Sequence, residues 1–299
     1  MKGSRRLISL LIASAVACAA CGSSGPASAT PAGTGSGGGG SVDCQKGSIA
    51  IAGSTALQPL IQDAANAYMN HCPDAAIIVN GGGSGTGLSQ VVQGAVDIGS
   101  SDVLASAKLI PADAGKLVDH VICRQGWIVV VNKDVTGIAN LTVDQERQIW
   151  TAAVKNWSSV GGPDLPIILI IRPASSGTRT IFEQTIGVGV ADNSGQLLTE
   201  DSNGAVVTAV AKTSGAISVI GFAYYNVPAN RAQLTGIQFD GVDATIGNVG
   251  NGSYKLAADG HLYTKGEATG LTAAFLAFMK SDEVQKTIIP NDAYGPLKG

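Results

Sequence analysis

The chain has 299 residues, 45% apolar and 14% charged, with a formal net charge of −3. That length supplies a core for one large domain or two lobes. The sparse, slightly acidic charge excludes a nucleic-acid surface, which needs a Lys/Arg stripe to replace phosphate counterions.

In chain order, the first stretch stands apart. Lys2, Arg5 and Arg6 precede "LISLLIASAVA", an apolar run too short to span a bilayer comfortably, followed by small residues and cysteine. Residues 1–20 therefore read as a signal peptide of the lipoprotein type. The stretch "ACAACGSSG" resembles a bacterial lipobox, whose cysteine becomes the lipid-carrying first residue of the mature chain. Cys21, followed by Gly-Ser-Ser, is the expected attachment site, and Cys18, preceded by "AVA", is the alternative. Residues 21–44 are then a lipid-anchored flexible linker, because Gly22 to Val42 hold almost only Gly, Ser, Ala, Thr and Pro and bury no core. The protein is expected outside the cell, anchored to the outer face of the membrane.

From Ser48 onward, short β-branched runs alternate with amphipathic segments. Ser48–Gly53 reads as a strand, Leu57–Asn70 as a helix and Ala75–Gly81 as a strand. Gly87–Ala95 reads as a helix, and Val96–Asp102 as a short strand ending in a loop. Val121–Asn132 is long for a strand and is expected to cross between lobes. A helical run near Leu141–Thr151 follows, then a loop over Asn156–Asp164 and a strand over Leu165–Arg172. Gly215–Tyr225 reads as another buried strand and Gly270–Lys286 as a late amphipathic helix. Apolar strands separated by helices imply an α/β fold with a largely parallel sheet covered on both faces.

With Cys21 acylated, Cys44, Cys72 and Cys123 remain. Cys44 sits just before the first strand and Cys72 just after the first helix. A helix returning antiparallel to its strand brings those ends together, so a Cys44–Cys72 disulfide is expected. Cys123, inside an apolar run, reads as a buried thiol. No C-x-x-C or His/Cys cluster with metal-ligand spacing exists in the mature chain, so no metal is expected.

Four clusters share one design, small polar residues with glycine after a strand: "AGSTALQP" (Ala52–Pro59), "NGGGSGTGL" (Asn80–Leu88), "DIGSSD" (Asp97–Asp102) and "RPASSGTRT" (Arg172–Thr180). In open α/β sheets ligands bind at the carboxyl ends of strands. Helix N-termini there carry unpaired N–H groups and partial positive charge, which suit an anion.

In the order and spacing of these loops, and in "GAI…FAYY" and "AYGPL", the chain resembles the phosphate-binding proteins of phosphate-specific ABC importers, the PstS family. The resemblance runs from about Gly47 to the end, roughly five-sixths of the chain. It implies a two-lobed, periplasmic-binding-protein-like (type II) Venus flytrap with a mixed, mostly parallel sheet in each lobe. The first lobe would comprise 45–125 plus 259–299, and the second 126–258. Position by position, it implies phosphate contacts from Ser54, Thr55 and Ala56, from Ser84, from Asp102 and Arg172, and from Ser176, Gly177 and Thr178. Ala56, where some relatives carry a larger side chain, would contribute its backbone. Arg172 would engage oxygens bidentately, and Asp102 would accept the proton that phosphate carries near neutral pH. The implied partners are inorganic phosphate, the membrane permease subunits of an ABC importer and its ATPase. A monomeric receptor without cofactor is implied.

Three other readings are open. Ser84, Ser101 and Ser176 invite a hydrolase, but none sits in a G-x-S-x-G elbow. The histidines His71, His120 and His261 read as surface groups: the first ends a helix, the second precedes a buried strand, and the third lies in a polar turn. The glycine loop has neither a dinucleotide fingerprint nor a P-loop lysine. A non-transporting phosphate sensor or adhesin on the same scaffold would share every motif. A receptor for sulfate, molybdate or tungstate is disfavoured by Asp102, since those anions offer the carboxylate no proton.

Overall fold

Alternating isoleucine and alanine open the fold: Gly47–Gly53 forms strand β1, with Ile49 and Ile51 buried. The computed structural model describes residues 41–191 and 197–297. Cys18, Cys21, the signal-like segment and most of the linker lie outside the described residues. After β1, the Ser54 hydroxyl accepts the amides of Ala56 and Leu57, each at 3.1 Å, and turns the chain into helix α1 (Gln58–His71). Helix α1 buries Leu60, Ile61, Ala64, Ala65 and Tyr68, the spacing of one helical face. It delivers Cys72 to Cys44, and the expected disulfide is formed, with Cα atoms 5.2 Å apart. Closing a sequence separation of 28 removes chain entropy from the unfolded state worth roughly 3–4 kcal/mol. Cys123 is a buried free thiol, its pKa raised by burial.

The chain continues through β2 (Ala75–Gly82), α2 (Ser84–Gln93), β3 (Ile98–Ser101), α3 (Pro111–Ala114) and β4 (Leu117–Asn132). Then come β5 (Asn140–Leu141), α4 (Val143–Trp150), β6 (Ile168–Ile171), α5 (Gly177–Ile186), β7 (Leu197–Thr199), α6 (Asn203–Lys212), β8 (Ala216–Gly221) and α7 (Phe222–Tyr225). It ends with α8 (Pro228–Gln233), β9 (Leu234–Phe239), α9 (Ile246–Gly250), β10 (Ala257–Lys265), α10 (Gly270–Met279) and α11 (Ile289–Asn291). None of the described helices is long and apolar enough to cross a membrane.

The strands run in the order β2-β1-β3-β10-β4-β8-β6-β7, with β9 pairing both β4 and β5. Strands β1, β2 and β3 are parallel, as are β6, β7 and β8, while β10 pairs antiparallel with β3 and β4. The sheet is thus mixed, and it is continuous rather than split into two. Strand β4 makes it so. Its first part, Leu117–Gly126, lies beside β10, and from Trp127 it pairs with β8 and then β9. Buried side chains divide at the same place. Ile122 and Cys123 join one core with β1 and α1, and Trp127–Val131 join the other with α5 and α6. Gly126 marks the change, since a Cβ there would lie 2.7 Å from the Phe222 ring.

Four expectations need correction. Helix α2 begins at Ser84, before the expected Gly87, because Gly83 at φ 91° turns the chain and the glycines inside α2 let it press on β1. A Cβ at Gly87 would collide with the Ala52 carbonyl. The expected strand Gly215–Tyr225 stops at Gly221, whose amide goes to Asn203 Oδ1 at 2.9 Å, and α7 follows. The late helix ends at Met279, where Lys280 and Ser281 bond three residues back and tighten the turn; a π-turn then covers Val284–Ile288. His120 and His261 are not surface groups, because both lie in paired strands. His120 is half-buried against Thr264 Oγ1 at 3.0 Å, and His261 is buried with Nδ1 at 2.9 Å from Asp119 Oδ1. His71 is exposed, as expected, and pairs with Glu283.

Glu146 on α4 is fully buried; its Oε2 accepts the Trp150 indole N–H at 2.8 Å, and its Oε1 has no partner among the described residues. Burial pushes its pKa up to about 8. A carboxyl raised on folding holds its proton more tightly in the folded state. Stability is therefore greatest below the unfolded value of 4.5 and is lost as pH rises towards about 8. Glu146→Gln keeps the acceptor for Trp150 and cannot ionise. We expect it to melt close to the parent at about pH 5 and well above it at about pH 9, a gap worth a few kcal/mol in calorimetry. Parallel melting curves across that range would refute the assignment.

Candidate anion-binding site

The four polar loops meet around one carboxylate. Asp102, 2% exposed, follows β3, and its Oδ1 accepts the Ser54 hydroxyl and the Gln125 amide at 3.2 Å. Oδ2 has one long contact, Thr178 Oγ1 at 3.5 Å, and so keeps acceptor capacity. The Asp102 backbone amide donates to Ser84 Oγ at 3.0 Å. Burial raises the Asp102 pKa, against the opposing effects of hydrogen bonds from Ser54, Gln125 and Thr178 and of the Arg172 charge.

Arg172 leaves the end of β6 and is 4% exposed. Its Nε donates to the Glu200 carbonyl at 2.9 Å; its Nη2 donates to the Asp201 carbonyl at 2.8 Å and to Thr55 Oγ1 at 3.3 Å. The Nε–Nη2 edge is thus held by protein. Nη1 is buried without an acceptor among the described residues, so it is the arm left to meet a ligand. An unsatisfied buried cationic donor is costly unless an acceptor arrives. Burial lowers the Arg172 pKa, opposed by the carboxylates of Asp102 and Asp201.

Helix α5 completes the nest. Ser176 caps it, its Oγ accepting the Arg179 amide at 3.3 Å, and the first backbone bond of the helix runs from Thr180 N to Ser176 O. The amides of Gly177 and Thr178 therefore precede the hydrogen-bonded ladder and add the positive end of the helix dipole. Only glycine fits at 177, since a Cβ there would collide with Ser84 Oγ and lie 2.7 Å from Asp102 Oδ2. Thr178 Oγ1 is fixed from behind by the Trp127 indole N–H at 3.1 Å. Ala56, by contrast, spends its amide on Ser54 Oγ, and Ser54 Oγ serves Asp102, so these two support the nest from its floor.

All nine expected residues gather here, and the structure adds others. Asn203, fully buried at the start of α6, donates to Thr55 Oγ1 at 2.9 Å; Gln125 and Trp127 come from the middle of β4; the carbonyls of Glu200 and Asp201 hold Arg172. "TEDSNG" (Thr199–Gly204) was a fifth polar run between a strand and a helix, the same signal as the other four. Gln125 and Trp127 carried no such signal. The described residues contain no cluster of three or more His, Cys, Asp or Glu side chains that could hold a metal.

The PBP superfamily domain model matches residues 25–283 of the chain. The phosphate-binding protein PstS of Bacillus subtilis (strain 168) is 40% identical over 298 residues, covering 99% of this chain and 95% of that protein. Among solved structures, a Clostridium perfringens protein with bound phosphate superposes with a TM-score of 0.76 at 29% identity, covering 84% of this chain and all of that one (100%). An ABC-type phosphate transport receptor from Vibrio cholerae gives 0.66 at 28% identity, covering 83% of this chain and 100% of its own. The two-lobed α/β architecture is common to them. A match of that identity along nearly the whole length places this chain in the PstS family of phosphate-binding proteins, within the PBP superfamily.

Proposed function

We propose that this chain captures inorganic phosphate outside the membrane and delivers it to the permease subunits of an ABC importer driven by its ATPase. It works as a monomeric, exported receptor whose lobes, 45–125 with 259–299 and 126–258, close over the dehydrated anion. One observation carries the reading. Among the described residues, a single buried nest holds a guanidinium with an unpartnered Nη1, a carboxylate with spare capacity on Oδ2, and the first two amides of α5, those of Gly177 and Thr178, ahead of the hydrogen-bonded ladder. Donors on several sides and one acceptor match an oxyanion that bears a proton. The nest binds rather than turns over: the hydroxyls of Ser84, Ser101 and Ser176 are engaged with Asp102 N, Val103 O and Arg179 N, and none meets a histidine.

Arg172→Ala is expected to cost on the order of 2–5 kcal/mol of phosphate binding, the range for removing one partner of a buried charge pair. Calorimetric titration of the folded variant measures it, and affinity within about threefold of the parent would place Arg172 outside the pocket. Asp102 sets the selectivity. Sulfate carries no proton near neutral pH, so it would leave the carboxylate facing an oxyanion with nothing between them. The parent should reject sulfate by at least roughly a thousandfold, within what polar mismatches achieve. Asp102→Asn, whose amide can donate to sulfate, should relax that rejection while changing phosphate affinity less. Equal exclusion of sulfate by parent and variant, titrated at one ionic strength, would move selectivity elsewhere.

The lipid anchor on Cys21, with Cys18 as the alternative, rests on the lipobox-like sequence. Intact mass of protein extracted from membranes is expected to begin at Cys21 with a diacylglyceryl addition. An unmodified chain starting elsewhere between Ala17 and Ser41 removes the anchor from this proposal.

A further inference from the structure

Lys108 is a charged, half-buried side chain that the anion nest does not use. It follows the short turn Ala105–Ala107 after β3. That segment is rooted on one side of the cleft: Ala105 is buried with Leu88, Val91 and Tyr263, Leu109 packs on the same cluster, and the Ala105 amide donates to the Tyr263 hydroxyl at 3.2 Å. From this base, Lys108 Nζ reaches the other side. It donates to the Ala174 carbonyl at 2.6 Å and to Thr180 Oγ1 at 2.5 Å. Ala174 lies in the loop between β6 and α5, and Thr180 lies on α5, whose Ile181, Phe182 and Ile186 belong to the opposite core. Beside it, the Gly85 amide donates to the Ser175 carbonyl at 2.9 Å, a second bridge onto the same loop. Burial lowers the Lys108 pKa, and the Glu183 carboxylate opposes that shift.

We propose that Lys108 is the latch of the closed cleft, a positioning residue that pins the Ala174 loop and the first turn of α5 against the β3 side and slows ligand release. The bonds of a latch exist in one arrangement only. They favour that arrangement by their own free energy, and charge-assisted bonds are the stronger kind. Both acceptors, the Ala174 carbonyl and Thr180 Oγ1, are protein atoms, so the effect operates through lobe closure and not through ligand recognition. Its kinetic consequence rests on the phosphate reading above; its conformational consequence rests on the bridge alone.

Lys108→Met keeps the apolar stem and removes charge and donors. In stopped-flow measurements on the mature protein, phosphate release should quicken about tenfold while association stays within about twofold of the parent, as expected when only the closed population changes. Thr180→Val, which leaves the charge in place, should shift release the same way by less. A second readout needs no ligand: spin labels at the exposed positions Gln93 and Thr151 should report a larger share of long distances in Lys108→Met than in the parent. Unchanged release and unchanged distances overturn the latch. Slower association that vanishes at high salt also overturns it, assigning Lys108 to electrostatic steering. If the parent takes up no phosphate in calorimetry, the functional reading falls, and the distance distribution alone decides the latch.

Discussion

The arrangement depends on stabilising one buried carboxylate. Taking Asp102 out of water costs several kcal/mol unless donors replace the lost solvation. No single segment supplies them. Ser54 comes from the loop after β1, Gln125 from β4, Thr178 from α5, and Arg172 adds its charge from the end of β6. Each donor is mounted on a different element, so the carboxylate acts as a pin where both cores meet. The same pin leaves one oxygen under-used and, among the described residues, one guanidinium arm unsatisfied, which is what the proposed protonated oxyanion would complete.

Such convergence requires backbones to approach more closely than side chains allow, and glycine provides the room. Gly53 passes so near Ser100 that a Cβ would meet its carbonyl, and Gly87 and Gly177 are in the same position against Ala52 and Ser84. The cost of glycine inside a helix, about 1 kcal/mol relative to alanine, is offset here by a site that no larger residue could form. Composition and function meet at these positions: glycine is abundant where the loops press on strands.

Strand β4 determines how the two cores communicate. It pairs with β10 along its first half and with β8 and β9 along its second, and Gln125 and Trp127 flank the change of partner. These two residues reach Asp102 and Thr178 respectively. The strand that joins the cores also holds Asp102 and Thr178, so both cores bear on the same cluster of polar groups.

Local chemistry carried much of this in the sequence itself. Isoleucine-rich runs, a serine followed by a proline-bearing helix, and small polar residues after strands located β1, α1, β6 and the four polar loops, because caps and turns depend on near neighbours alone; the nine residues within those loops came from the resemblance to the PstS family. Cys44 and Cys72 were legible for the same reason, since one strand and one helix bring them together. The tertiary structure decided what depends on distant neighbours. His261 is buried because β4 covers β10 and offers Asp119, and the apolar run after Gly215 turns helical at Phe222 because Asn203 takes the Gly221 amide. Ser54 serves Asp102 rather than facing outwards, and Arg172 spends one edge on the Glu200 and Asp201 carbonyls. Hydrogen-bond partners many residues apart leave no periodic trace in a sequence; they are settled only when the whole chain has packed.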